Sequence, residues 1–263
     1  MKKLLAVLCA VTLLLTILAG CAAKDPTDGS DSEYVKKKGT LVIGITVFEP
    51  MDYQDTSGEW IGFDADLAKS FAESLGVKAE FQIIDWNNKV YELNGKTIDV
   101  VWNGMTLTDD VKAAMECSAP YCNNAQIVVV PQEKAAEYQT VESLKSLSFA
   151  VESGSAGKKE ADALGFKYTE VEDQATALLE VSSGTADAAI IDSLMAGAMI
   201  GENTSYSALT CTVSLNSEEY GVGFRKGSDL AGLLNDFLKQ QYAEGNLQEL
   251  AERYGVQKAL IAQ

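Results

Sequence analysis

Histidine is absent from all 263 residues. That excludes Ser-His-Asp and Cys-His catalysis and every zinc site built on imidazole. Basic residues are scarce as well: 21 Lys+Arg stand against 38 Asp+Glu. Nucleic acid is excluded as a partner, because phosphate binding needs clustered positive charge. Proline occurs only four times and the hydrophobic content is an ordinary 47%, so wholesale disorder is excluded too. Of five cysteines, Cys9 and Cys21 fall near the N-terminus, leaving Cys117, Cys122 and Cys211. No Cys-x-x-Cys pair occurs, so neither a metal nor a redox centre is expected, and no cofactor. The odd number of thiols is compatible with one disulfide or with none. The length suffices for one large domain or two ordinary ones.

What is present begins with a membrane signal. Lys2 and Lys3 precede an apolar run from Leu4 to Leu18, interrupted only by Thr12 and Thr16. This reads as the hydrophobic region of a signal peptide, a little short for a permanent span. It ends in Leu18-Ala19-Gly20-Cys21, which resembles a bacterial lipobox. The expectation is a signal peptide over residues 1–20 and a lipidated Cys21, an anchor on the outer face of a cytoplasmic membrane. Removing residues 1–20 leaves 19 basic against 38 acidic residues, a net charge of −19. Residues 22–38 are almost free of apolar side chains. Residues 21–39 therefore read as a lipidated cysteine and flexible tether, its coil reaching roughly 23 Å.

From Thr40 onward short apolar runs alternate with amphipathic segments. Strands are expected at 41–45, 79–84, 99–102, 126–130, 148–151, 188–191 and 221–224. Helices are expected at about 157–164, 175–181, 193–200, 230–242 and 247–254. Asp64 is expected to cap a further helix whose apolar face is Leu67, Phe71 and Leu75, closed by Gly76. Alternating strands and helices imply an α/β protein with mostly parallel sheets. The segments Glu92–Val100 and Glu180–Ala188 share Glu, Thr and Asp at an offset of 88. In each, a helix ends, a turn follows and a buried strand begins, which suggests two similar lobes. The same offset pairs Gly104 with Asp192, both near strand ends, where open α/β sheets bind ligands.

Six segments then occur in order: GTLVIGITVFEPMDY, WIGFDADLAKSFAESLG, IDVVWNGMTLTDD, VESGSAG, ADAAIID and EEYGVGFRKGSDL. Together they resemble the polar amino-acid family of extracellular solute-binding proteins that serve ABC importers. The resemblance runs from about Gly39 to Tyr254. It implies a periplasmic-binding-protein-like clamshell of two α/β lobes joined by two hinge strands, near 124–129 and 218–223. The first lobe would comprise residues 40–125 plus 222–263, and the second 129–218. It implies a monomeric, membrane-anchored binder of an amino acid or related amine, partnered by a permease and not an enzyme.

Carried over residue by residue, the resemblance places Phe48 and Trp86 as aromatic walls of the ligand site. Gly104 and Thr106 would offer a carbonyl and a hydroxyl to the ligand ammonium. Ser155 and Ala156 would present helix N-terminal amides to a carboxylate. Asp192 would bind the α-ammonium. Each has a plainer reading as core packing, a turn or a helix cap. One position departs from the family: Val111 stands in Thr108-Asp109-Asp110-Val111-Lys112 where an Arg usually forks the ligand carboxylate. Valine offers no donor. The remaining pocket, with Glu49, Tyr53 and Trp60 as further candidates, suits a carboxylate-free cation as an alternative ligand. An altered binding site is another alternative. A lyase on the same fold would have only Glu49, Glu152 or Asp192 as acid or base. A receptor sensor would need a signalling segment after the binding module, so a free-standing binding protein is the expectation.

Overall fold

A computed structural model describes residues 30–263. The signal segment, Cys21 and the first part of the tether lie outside the described residues. The remainder of the tether is not a tether. Asp31–Lys38 is an α-helix, capped by Ser30 accepting from Glu33 N and ended by Gly39 in the left-handed conformation. Composition hid it, because Val35 is its one fully buried apolar side chain. Its ends match the helix dipole, with Asp31 and Glu33 first and Lys36–Lys38 last. It is held by polar bonds: Ser32 N donates to Asp229 at 3.0 Å, and Asp31 pairs with Arg225 at 3.1 Å.

Two sheets organise the rest. The first contains β1 (Thr40–Ile45), β4 (Lys78–Ile83), β5 (Val100–Thr106), β6 (Glu116–Cys117), β7 (Cys122–Asn124) and β13 (Glu218–Phe224). Its order is β4-β1-β5-β13-β6, with β7 also on β13. The second contains β8 (Gln126–Pro131), β9 (Ser148–Glu152), β10 (Lys167–Val171), β11 (Ala188–Asp192) and β12 (Leu209–Ser214), in the order β10-β9-β11-β8-β12. A small hairpin, β2 (Tyr53–Gln54) with β3 (Trp60–Ile61), stands apart. Each sheet has the same plan: three parallel strands, then antiparallel ones. The sheets are mixed rather than mostly parallel, because the strands entering each sheet at the crossings run against its first three. The chain leaves the first sheet between Asn124 and Gln126 and returns between Ser214 and Glu218.

The core follows the apolar pattern. The helix Phe63–Ser74 buries Phe63, Leu67 and Phe71 against the first sheet. Each such side chain contributes about 1.5–3 kcal/mol. Gly76, at φ 76°, closes the turn after it. Asp64 does not cap this helix; Gly62 holds that position without a side-chain bond. Asp64 is instead buried, accepting from Gly104 N and Tyr121 Oη at 2.7 Å each. The helices Ala156–Leu164, Gln174–Ser182 and Ser193–Met199 cover the second sheet. Cys117, Cys122 and Cys211 are all free thiols.

Candidate functional site

Where the lobes meet, a cavity of about 310 Å³ opens. Phe48, Trp86, Gly104, Thr106, Val111, Ser155, Ala156 and Asp192 all line it. Residues far apart in sequence converge because β5 and β11 hold equivalent positions in their sheets and end at the same gap. Phe48 packs edge-on against Tyr220, ring centroids 6.3 Å apart. Gly104, at φ 54°, lies beneath it, and a Cβ there would sit 2.5 Å from the Phe48 ring. Only glycine fits both the conformation and the approach.

Several of these residues are already engaged. Thr106 Oγ1 donates to Glu218 Oε1 at 2.9 Å, so its hydroxyl proton points at the start of β13. Ser155 caps the helix Ala156–Leu164, accepting from Lys158 N at 3.0 Å. Val111 lies half-buried in the short helix Asp109–Ala114, its amide capped by Thr108. Asp192 ends β11 but makes no cap bond to the following helix. Its Oδ1 accepts from Tyr220 Oη at 2.7 Å, Gln126 Nε2 at 2.9 Å, and Asn124 Nδ2. Its Oδ2 accepts only from Gln174 Nε2 among the described residues, so it retains acceptor capacity. Burial, then the charge of Glu218, push the Asp192 carboxyl up to about 7.

Three further cavity residues were not assigned a ligand role from the sequence. Glu152 ends β9, is 3% exposed, and has Oε1 without any partner among the described residues. Burial, then the nearby Asp192 charge, raise its carboxyl to about 8. Lys89 is buried beside Trp86, its Nζ 4.8 Å from the ring centroid. Its Nζ donates to Trp86 O and Gly154 O at 3.0 Å each. Burial holds Lys89 down to about 8, against the pull of Glu152 and Asp85. Lys159 also reaches the wall, paired with Asp110 of the other lobe at 2.7 Å. The Lys89–Gly154 and Lys159–Asp110 bonds cross the cleft, as does Tyr220 to Asp192. The lobes are in contact around the cavity.

Glu49, Tyr53 and Trp60 do not line the cavity. The β2–β3 hairpin carries Tyr53 and Trp60, and Trp60 packs on Phe81 instead. A signal for Lys89 did exist in the sequence. It lies four residues before Leu93, on the same apolar helix face, where a lysine is out of place.

The raised carboxyls set a pH dependence. The folded protein keeps a proton on Glu152 between about pH 4.5 and 8, where the unfolded chain has lost it. The folded state binds more protons across that window, so stability falls as pH rises through it. Melting temperature is expected to drop from pH 5 to pH 8, and Glu152→Gln to flatten the drop. A melting temperature that climbs over this range, equally in both proteins, would show that Glu152 is not buried as described.

A two-lobed α/β fold with a partly open cavity between the lobes, mostly apolar but carrying a few convergent charged groups, defines a small-solute-binding protein of the clamshell class. Residues 41–257 match the model of bacterial extracellular solute-binding proteins, family 3, and the chain belongs to that family. It is similar to the L-cystine-binding protein TcyJ of Escherichia coli K12, 28% identical over 92% of each chain. It is also similar to the arginine-binding extracellular protein ArtP of Bacillus subtilis, 30% identical over 97% of this chain and 98% of that one. Among solved structures, a mutant of ArgBP from T. maritima superposes with TM-score 0.80 at 31% identity. That match covers 86% of this chain and 99% of the other.

Proposed function

We propose that this chain is the substrate-binding lipoprotein of an ABC importer and holds an amino acid between its lobes. The observation that carries the reading is the cavity itself. One cavity offers the Asp192 carboxylate to an ammonium, with the Glu152 carboxyl beside it as a further acceptor, and the Lys89 ammonium to a carboxylate. A zwitterion needs both. Phe48 and Trp86 supply the apolar walls. The similarity to arginine- and cystine-binding proteins supports the same ligand class. A carboxylate-free cation fits less well, because Lys89 and Lys159 would repel it and Lys89 already covers the face of Trp86.

In this reading the hinge lies at the two crossings near Asn124–Gln126 and Ser214–Glu218, and the lobes open and close about it. A thermal-shift panel of amino acids tests the assignment. A ligand at a hundredfold its Kd stabilises by about 2.7 kcal/mol through mass action. At least one amino acid, with L-arginine and L-cystine first, should raise the melting temperature. A panel in which only amines act would favour the cation instead.

The membrane anchor belongs to the same proposal and rests on Leu18-Ala19-Gly20-Cys21. Acyl chains on Cys21 would hold the protein at the outer face of the membrane as a monomer beside its permease. Cys21→Ser is expected to leave an unprocessed or released protein whose ligand binding is intact. Fractionation of expressing cells, with the mass of the mature chain, reads the outcome. A processed, membrane-bound mutant would remove the lipid anchor from the account.

A further inference from the structure

Val111, which the sequence resemblance places where an Arg would fork a ligand carboxylate, lines the cavity without offering a side-chain donor. Lys89 lines the same cavity and has the opposite problem. It is a buried ammonium with three donors, two of which are spent on the Trp86 and Gly154 carbonyls. Among the described residues the third N–H has no partner, and no acidic side chain lies within ion-pair distance of Nζ. A buried ammonium without a counter-ion is costly unless an anion completes it. Lys159, the other cavity cation, is more exposed and already committed to Asp110. Through Gly154, Lys89 also sits beside the loop that starts the helix Ala156–Leu164, whose dipole favours an anion at the same corner.

We propose that Lys89 holds the ligand's carboxylate in this protein, doing from the first lobe what Val111 cannot. The inference rests on the amino-acid reading above and adds the residue that selects acids over their decarboxylated amines. Because Lys89 also reaches the second lobe at Gly154, carboxylate binding and lobe closure would share one side chain. A ligand without the carboxylate would leave the ammonium incompletely paired and meet its repulsion.

The test uses calorimetry on the full-length protein and on Lys89→Met and Lys89→Arg. The probes are two pairs that differ only by carboxylates: L-arginine with agmatine, and L-cystine with cystamine. Melting curves confirm that each variant folds. The expected result is that at least one amino acid binds the wild type and its amine binds more weakly. Lys89→Met should then weaken the amino acid about thirtyfold or more, the loss expected for truncating a buried charge pair. It should leave the amine unchanged or tighter. Lys89→Arg, which keeps a donor and the charge, should retain more affinity for the amino acid than Lys89→Met. Equal weakening of acid and amine would reduce Lys89 to a clasp between lobes and overturn the proposal. An amino acid bound equally well by wild type and Lys89→Met would overturn it while leaving the amino-acid reading standing. Should none of the four bind the wild type, the amino acid that raises its melting temperature in the panel above is paired with its own decarboxylated amine and read in the same way; if no amino acid does, both readings fall.

Discussion

Asp192→Asn is expected to weaken binding of an amino acid by tens- to thousands-fold, about 2–5 kcal/mol. The loss is large because the carboxyl is 4% exposed and would meet the ligand ammonium with little water to screen it. The choice of asparagine follows from the site. Four side chains, Asn124, Gln126, Gln174 and Tyr220, donate to the carboxylate. Alanine would leave the buried Tyr220 hydroxyl without its acceptor and Gln174 with only a 3.5 Å contact to Glu152, while Asn124 and Gln126 would keep Glu218, so a binding loss could be confused with a folding loss. Asparagine keeps the shape and one acceptor oxygen while removing the charge. Calorimetry with the amino acid that wild type binds reads the result, and unchanged affinity would move the ammonium subsite elsewhere, Glu152 being the next candidate.

Arg225→Met is expected to cost about 3–5 kcal/mol of stability, the usual effect of removing one member of a buried ion network. Arg225 follows β13 and is 8% exposed. Its Nε pairs with Asp31 at 3.1 Å and its Nη2 with Asp99 at 3.4 Å. Its Nη1 donates to the Ile98 and Leu93 carbonyls at 3.0 and 3.3 Å. Asp99 is fully buried and would be left with Lys38 and the Val42 amide. At this chain length each kcal/mol moves the melting temperature by about 2–4 °C, so a drop of about 6–20 °C is expected by calorimetric scanning. Asp31→Ala should cost less, because Asp31 is partly exposed and Asp99 still holds the guanidinium. If Arg225→Met melts within about 2 °C of wild type, the N-terminal helix is not docked as described.

That docking explains where sequence reasoning stopped. The buried runs of β1, β8, β9 and β11 were legible because both faces of these strands are covered. So were Phe63–Ser74 and Leu230–Ala243, whose apolar spacing is helical. β10 and β12 were not legible. They are the edge strands of the second sheet and mostly half-exposed, so Lys167–Val171 reads as a polar stretch. Asp31–Lys38 was read as coil because its attachment is polar and depends on Asp229 and Arg225, almost two hundred residues away. No local pattern can show such a partner.

The cavity was legible to a different degree. The offset of 88 that paired Gly104 with Asp192 reflects two sheets with one plan, and both residues reach the cavity. The resemblance named eight wall residues but treated them one at a time. It could not show that the Ser155 hydroxyl is used as a cap, or that Asp192 is held by four donors. Those are facts of packing. Lys89 and Glu152 were visible as charges out of place, a lysine on an apolar helix face and a glutamate closing a buried strand, yet burial alone gives them their chemistry.

The most direct test of the account is equilibrium dialysis of the protein against an equimolar mixture of the protein amino acids and cystine, with the retained molecules quantified. The account predicts retention of one amino acid, or a few related ones, approaching one molecule per chain. It also predicts that Asp192→Asn, though folded, retains far less at the same concentrations. No retained amino acid on the wild type, or equal retention by the Asp192→Asn protein, would contradict it.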